Sequence, residues 1–168
     1  MIKYLFLILI YLIAAYFFTV LNLYNYGWQF VQPFLIAALL IYFNVENNWL
    51  YYGFALLAGL FIDSLSGVFG LHALIFLFII FILKTLQLTI LTSKNILTII
   101  LLTILAFVLF WLIFWGAHVL FGWGIYLFDK VILFNILKTL PINISAVIIL
   151  HVLFYNFWIR KHGQRQSF

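Results

Sequence analysis

The stretch GLFIDSLSGVFGLHAL, residues 59–74, places an aspartate in the middle of an apolar segment. Asp63 is one of only three acidic residues in the chain, and between residues 53 and 83 the one other side chain that ionises is His72. A carboxylate at membrane depth costs a few kcal/mol or more, so such residues usually face a bundle interior or a polar cavity and mark a functional site. This stretch therefore indicates both the fold and the candidate site.

The composition indicates a membrane protein. The 168 residues are 69% hydrophobic and 7% charged, with a mean hydropathy of +1.31. No soluble domain of this size could bury that much apolar surface. The chain has no cysteine, which excludes thiolate metal sites and disulfides. The net charge of +5 comes from scattered basic residues, so no solvated basic face is predicted and nucleic-acid binding is not expected.

The apolar segments predict an all-α membrane protein, a compact bundle of six transmembrane helices. A spanning helix needs ~20 residues. The second helix is expected to begin its regular part near Pro33, because proline fits a first helical turn. Pro141 is expected to divide a short interfacial helix, 131–140, from the last span. The predicted helices cover residues 3–21, 28–44, 49–66, 71–91 and 96–121, and the sixth lies within 131–159.

Lysine and arginine in short loops predict the orientation. Lys3 lies at one end of the chain, and a basic cluster that begins at Arg160 lies at the other. An even number of helices places both termini in the cytoplasm. We therefore expect one domain over residues 1–160 with a retained first helix, and a polar cytoplasmic tail over residues 161–168. Asp63 then lies near the outer end of the third helix, on the same side as Gln29 and Gln32.

Small residues line one face of the third helix. Ala55, Gly59, Asp63 and Gly67 recur at intervals of four, which places them along one side of a helix. Small residues allow a neighbouring backbone to approach closely. Two interpretations of Asp63 remain open. Its carboxylate either accepts hydrogen bonds from the exposed amides at the start of the fourth helix, or it binds a ligand or partner.

His72 lies close to Asp63 in sequence and could form an Asp–His pair with it. No nucleophile accompanies this pair, and the three acidic residues lie on different segments, so no catalytic residue is predicted. His118 and His151 stand singly in apolar helices, where polar packing is a better interpretation than metal ligation. Neither a metal site nor a cofactor is predicted. Asn143, Ser145 and Asn156 are expected to join helices by hydrogen bonds of ~0.5–2 kcal/mol each.

From Gly53 to about Leu83 the chain resembles the rod shape-determining protein MreD family. Members are small and very hydrophobic. They carry a glycine-rich third helix with an aspartate, followed by a Ser-Gly pair and a further glycine that leads into the next helix. The matching residues are Gly59, Asp63, Ser66, Gly67 and Gly70.

The resemblance implies a multi-pass protein of the bacterial inner (cytoplasmic) membrane that belongs to the cell-wall elongation, or rod-shape, machinery. Its implied partner is the bitopic protein MreC. It is also linked to the MreB filament and to the RodA glycosyltransferase with its transpeptidase partner. Membrane lipids surround it.

The MreD family is also similar in fold to the substrate-binding subunits of energy-coupling-factor transporters. In those subunits a pocket opens outward, lined by the loop between the first two helices and by neighbouring helix ends. The similarity implies that Asp63, Gln29 and Gln32 fall near such a pocket. His72, in the first turn of the fourth helix, completes the set of candidate partner or pocket residues.

Three functions are left open by the sequence. The first is a non-enzymatic scaffold that docks the transmembrane helix of MreC through the small-residue face of the third helix. The second is a substrate-binding subunit of a vitamin or small-molecule transporter. The third is an intramembrane enzyme that uses Asp63 as its acid.

Overall fold

A computed structural model describes residues 2–24, 31–67, 70–89, 95–121 and 130–154. These residues form an all-helical structure without strands. The predicted tail over residues 161–168, Gln29 and Asn156 lie outside the described residues. The helices are α1 (Ile2–Tyr24), α2 (Pro33–Asn44), α3 (Asn48–Ser66), α4 (Leu71–Thr89), α5 (Ile96–Phe121) and α6 (Lys130–Phe154).

The helix boundaries follow local signals that the sequence carries. Pro33 occupies the first turn of α2, as predicted. The side chain of Asn47 caps α3 by accepting a hydrogen bond from the Trp49 amide at 3.0 Å, which satisfies one of the unpaired N–H groups of the first turn. α5 has the predicted bounds, and α1 extends three residues beyond its predicted end.

Within the described residues, four helices are long and apolar enough to cross a membrane, which makes the chain a multi-pass membrane protein. They are α3, α4, α5 and the part of α6 over Ile132–Phe154. α1 has 23 residues, and its apolar stretch Phe6–Leu21 is the part whose side chains the structure describes.

α2 is short, as the expected start of its regular part near Pro33 implies. Its 12 residues measure about 18 Å, whereas the hydrocarbon core is about 30 Å thick. α2 is nevertheless the centre of the bundle, because it packs against α1, α3, α4 and α6. Leu35, Leu39, Leu40 and Ile41 are all fully buried. The predicted number of helices is confirmed, and α2 lies inside the bundle.

Pro141 does not divide the last helix, which corrects the prediction of a separate interfacial helix over residues 131–140. α6 continues from Lys130 to Phe154 through this residue. A proline removes one backbone hydrogen bond, but a bilayer offers the freed groups no water, so an interrupted helix would leave more of them unpaired. Thr139 donates a hydrogen bond to the Asn135 carbonyl at 3.0 Å in the turn before Pro141. The helix therefore tolerates the proline.

A buried amide of α6 holds the start of α2. Asn143 is 1% exposed, and its Oδ1 accepts a hydrogen bond of 3.1 Å from the backbone N–H of Gln32. Pro33 follows Gln32. From this contact α2 and α6 run in the same direction, and near their ends the rings of Phe43 and His151 pack together. The predicted role of Asn143 in joining helices is confirmed, whereas Ser145 is exposed.

Replacing Asn143 by leucine is expected to destabilise the bundle by about 1–2 kcal/mol, because it leaves the Gln32 amide unpaired. Thermal unfolding in detergent, followed by tryptophan fluorescence, measures the change. Ser145→Ala is the matched control on the same helix, and we expect it to unfold at the wild-type temperature. Equal unfolding temperatures for Asn143→Leu and Ser145→Ala would contradict this role of Asn143.

The bundle has two ends that are used below. The hairpin end is where α3 ends and α4 begins. The cavity end is opposite, where α2, α4 and α6 end and α3 and α5 begin. The predicted topology places the hairpin end outside the cell and the cavity end in the cytoplasm.

Candidate functional site

Two glycines form the reversal between α3 and α4. Gly67 caps α3 with a φ of 73°, and Gly70 precedes α4 with a φ of 85°. Both values lie in the left-handed region, where residues with a Cβ are strained. The Gly67 amide donates to the carbonyl of Asp63 at 3.0 Å, and the Gly70 carbonyl accepts from the Leu74 amide at 3.1 Å. The last turn of α3 therefore lies beside the first turn of α4.

The carboxylate of Asp63 accepts hydrogen bonds from the first turn of α4. Its Oδ1 accepts from the backbone N–H of His72 at 2.9 Å, and its Oδ2 accepts from that of Ala73 at 3.2 Å. These amides have no partner within their own helix, and the helix dipole favours an anion there. Asp63 is only 2% exposed. The predicted bonds to the amides of the fourth helix are confirmed.

The imidazole of His72 completes the environment of this carboxylate. Its Nδ1 lies 2.8 Å from Oδ1 of Asp63. A carboxylate only accepts hydrogen bonds, so the geometry assigns the proton to Nδ1. The ring packs against Phe110 and Phe114 of α5, with centroid distances of 6.1 Å and 5.4 Å. The predicted Asp–His pair thus exists, and aromatic rings of α5 cover it.

Gly59 lies where the backbones of α3 and α4 come closest. A Cβ added at Gly59 would lie 2.3 Å from the Cα of Ala73 and 2.7 Å from the carbonyl carbon of His72. Ala55, which shares this face of α3, is fully buried. Of all helix pairs, α3 and α4 are the most extensively packed.

This packing corrects the expectation that the small-residue face of α3 docks a partner helix. The face that carries Ala55, Gly59 and Asp63 is already covered by α4 of the same chain. These residues are therefore not accessible to another protein. Gly67 and Gly70 serve the backbone reversal, and Ser66 is exposed beside them.

Gln32 lies at the hairpin end but does not join Asp63. The stacked rings of Phe34 and Phe61, with centroids 6.3 Å apart, place the start of α2 beside the outer part of α3. The backbone N–H of Gln32 donates a hydrogen bond to Asn143 of α6. The side-chain Oε1 of Gln32 is buried with no hydrogen-bond partner in the described part of the chain. The structure thus brings Gly59, Asp63, Gly67, Gly70 and His72 together and leaves Gln32 outside this cluster.

A cavity of about 570 Å³, lined by both polar and apolar residues, lies at the cavity end, far from Asp63. This cavity is not the outward pocket near Asp63 that the similarity to transporter subunits implied. Part of the loop expected to line that pocket, with Gln29, lies outside the described residues, so that pocket stays a prediction. The residues that line the cavity were not predicted as a site. The polar side chains in its wall include Asn44, Glu46, Lys84, Gln87, Thr98 and His151.

Part of this cavity has a signal in the sequence. Lys84 and Gln87 are separated by one helical turn near the end of an apolar helix, and aromatic and amide side chains flank the short loop between α2 and α3. The contribution of His151, from a distant segment, could not be found without knowing how α6 packs.

The Asp63 cluster links α3 to α4 and α5. Both oxygens of Asp63 are engaged by the backbone of α4, and the imidazole of His72 is closed in by rings of α5. The residues that the structure describes contain no group of three or more His, Cys, Asp or Glu side chains that could hold a metal ion.

The chain has no match among protein-family models, curated proteins or solved structures.

Proposed function

We propose that this protein is a non-enzymatic membrane scaffold of the bacterial cell-wall elongation machinery and that it docks the transmembrane helix of MreC. The resemblance of residues 53–83 to the MreD family supports the choice of machinery and partner. The observation that carries the scaffold role is the arrangement of Asp63, because a costly buried carboxylate stabilises the contact between two helices of the chain itself. MreB and RodA with its transpeptidase partner are proposed to associate in the same complex, in the inner membrane.

The packed interior supports this role. Phe34, Phe54, Phe76 and Phe107 are among the largest fully buried side chains. Phe76, Phe110 and Phe114 form a row of ring contacts between α4 and α5. A rigid interior of this kind keeps the outward helix faces in fixed positions, which is what a scaffold requires of its docking surface.

The outward face of α3 is the docking surface that we propose. Gly53, Leu57 and Phe61 recur at intervals of four on this face and are exposed. A Cβ added at Gly53 would meet no atom within 4 Å, so a neighbouring backbone can approach closely there, as small residues permit in membranes. This face lies away from α4, unlike the face that carries Gly59.

Co-purification tests the proposal. The protein is expressed with tagged MreC from the same bacterium and extracted in mild detergent, and recovery is measured for wild type and Gly53→Leu. We expect the substitution to reduce recovery of the complex about tenfold, since loss of close backbone packing of ~1–1.5 kcal/mol is a factor of about ten. Gly116→Leu on α5 is the matched control, because a Cβ there also meets no atom within 4 Å.

Two results would count against this function. If wild-type protein does not retain MreC, the proposed partner is wrong. If Gly53→Leu and Gly116→Leu retain it equally, the outward face of α3 is not the docking surface.

A substrate-binding subunit of a small-molecule transporter is the second candidate, and the cavity at the cavity end favours it. However, the predicted topology places that cavity on the cytoplasmic side, whereas binding subunits of this kind open outward. Mass spectrometry of the extracted protein separates the two functions, because a vitamin-like molecule that remains bound through purification would support the transporter subunit.

A further inference from the structure

The cavity at the cavity end has both charged and apolar residues in its wall. Its wall combines exposed residues of both kinds: Glu46 is a charged residue at the short loop after α2, and Leu88, on the last turns of α4, is 69% exposed and apolar. Ile99 and Leu102 of α5 continue the apolar part of the wall. A ligand that fits this wall has a polar group beside an apolar chain.

Lys84 gives one side of the cavity a positive charge. Its Nζ lies 5.5 Å from the ring centroid of Tyr51, a contact that holds the ammonium over the aromatic face. Neighbouring hydroxyls are fixed: the Tyr42 hydroxyl donates to Oε1 of Gln87 at 2.6 Å, and the Tyr51 hydroxyl donates to Oδ1 of Asn48 at 2.6 Å. Both hydroxyl protons are donated to these amide oxygens, which leaves the ammonium of Lys84 and the NH₂ groups of Gln87 and Asn48 as donors in this wall. Such donors suit an anionic group such as phosphate.

Other residues in the wall of the cavity carry acceptors. Nδ2 of Asn44 donates to the Leu40 carbonyl at 2.8 Å, which fixes the orientation of the amide. Oδ1 of Asn44 is then buried without a hydrogen-bond partner among the described residues, and so is Nδ1 of His151. A buried polar atom without a partner is costly and indicates a missing one. The carboxylate of Glu46 lies in the same wall.

We infer that this cavity binds a phosphoethanolamine headgroup, carried by a membrane phospholipid. Lys84 contacts the phosphate, and the ammonium of the ethanolamine donates hydrogen bonds to Asn44 and lies near the carboxylate of Glu46. The acyl chains leave past Leu88 into the bilayer. Such a zwitterionic headgroup matches a wall that carries both a cation and acceptors, whereas an inorganic anion would engage only the cation.

Native mass spectrometry of the delipidated full-length protein tests this inference. Phosphatidylethanolamine, phosphatidylcholine and phosphatidylglycerol with identical acyl chains are titrated separately. We expect phosphatidylethanolamine to bind about tenfold more tightly than phosphatidylcholine, because methylation removes the N–H donors that Asn44 needs. Lys84→Gln should weaken phosphatidylethanolamine binding about tenfold through loss of the charge-assisted contact to phosphate, and Lys84→Arg should retain binding.

Lys138→Gln is the matched control, because Lys138 is an exposed lysine on α6 that does not line the cavity. Its binding should equal that of wild type, and wild-type unfolding temperatures for all three variants show that the fold is intact. Equal affinities for the ethanolamine and choline lipids, or equal binding by Lys84→Gln and wild type, would overturn the inference. Displacement of the lipid by equimolar soluble O-phosphoethanolamine would show that the ligand is a soluble phosphoamine and that the lipid assignment is wrong.

Discussion

Gly59→Ala is expected to prevent stable folding of this protein or to destabilise it by about 3 kcal/mol or more. The added methyl group would lie 2.3 Å from the Cα of Ala73 and 2.4 Å from its nitrogen. These are backbone atoms, so no side-chain rotation relieves the clash. Overpacking a core costs about 1–3 kcal/mol where neighbours can move. Here α4 would have to move away from α3, which also lengthens the hydrogen bonds from His72 and Ala73 to Asp63.

Thermal unfolding and size-exclusion chromatography in detergent measure this effect. Gly53→Ala is the matched control, because Gly53 lies on the same helix and a Cβ there meets no atom within 4 Å. Alanine has a higher helix propensity than glycine by up to ~1 kcal/mol, so the control should be as stable as wild type or slightly more stable. If Gly59→Ala unfolds at the temperature of Gly53→Ala, the close approach of α3 and α4 is wrong.

The arrangement around Asp63 could be predicted because its causes are local. The small residues at intervals of four, the glycines after Asp63 and the short distance to His72 all lie within residues 55–72. A carboxylate one turn before a helix reversal meets the unpaired amides of the next helix for geometric reasons. The same pattern did not show which molecule covers the small-residue face, because a stripe of small residues is equally suited to a helix of the same chain and to a partner.

The start of α2 at Pro33 could be predicted, but its burial at the centre of the bundle could not, because the cause of that burial is tertiary. Its sequence is as apolar as that of a spanning helix, and composition cannot distinguish a helix surrounded by protein from one surrounded by lipid. The polar loop after Asn44 marks where α2 ends, but only packing shows that four other helices enclose it.

The continuity of α6 through Pro141 has a similar explanation. Proline lowers helix stability in water, where the freed groups are solvated, whereas in a bilayer the alternatives to a helix are worse. The residues of the cavity at the cavity end were also not grouped by the sequence. They come from α2, α3, α4, α5 and α6, and their proximity depends on the order in which these helices pack.

Asp63→Leu is expected to destabilise the protein by about 3 kcal/mol or more. The substitution leaves the amides of His72 and Ala73 and the Nδ1 of His72 without their acceptor in a buried site. Each buried donor without a partner costs ~1–3 kcal/mol. For a chain of this length, a loss of 3 kcal/mol lowers the unfolding temperature by about 10 °C. Unfolding in detergent, followed by the fluorescence of the six tryptophans, measures the shift.

Asp63→Asn distinguishes the two roles that the sequence left open for this carboxylate. Asparagine has the same shape, but it has one acceptor oxygen in place of two, so at least one amide of α4 would face an NH₂ group. If the role of Asp63 is structural, the unfolding temperature should fall by about 5 °C, since a loss of 1–2 kcal/mol is expected, while MreC recovery per folded molecule stays at the wild-type value. Ser64→Ala is the matched control, because Ser64 is exposed and bonds only to the Phe61 carbonyl of its own helix. If Asp63→Asn unfolds at the same temperature as Ser64→Ala but no longer retains MreC, the carboxylate binds the partner instead.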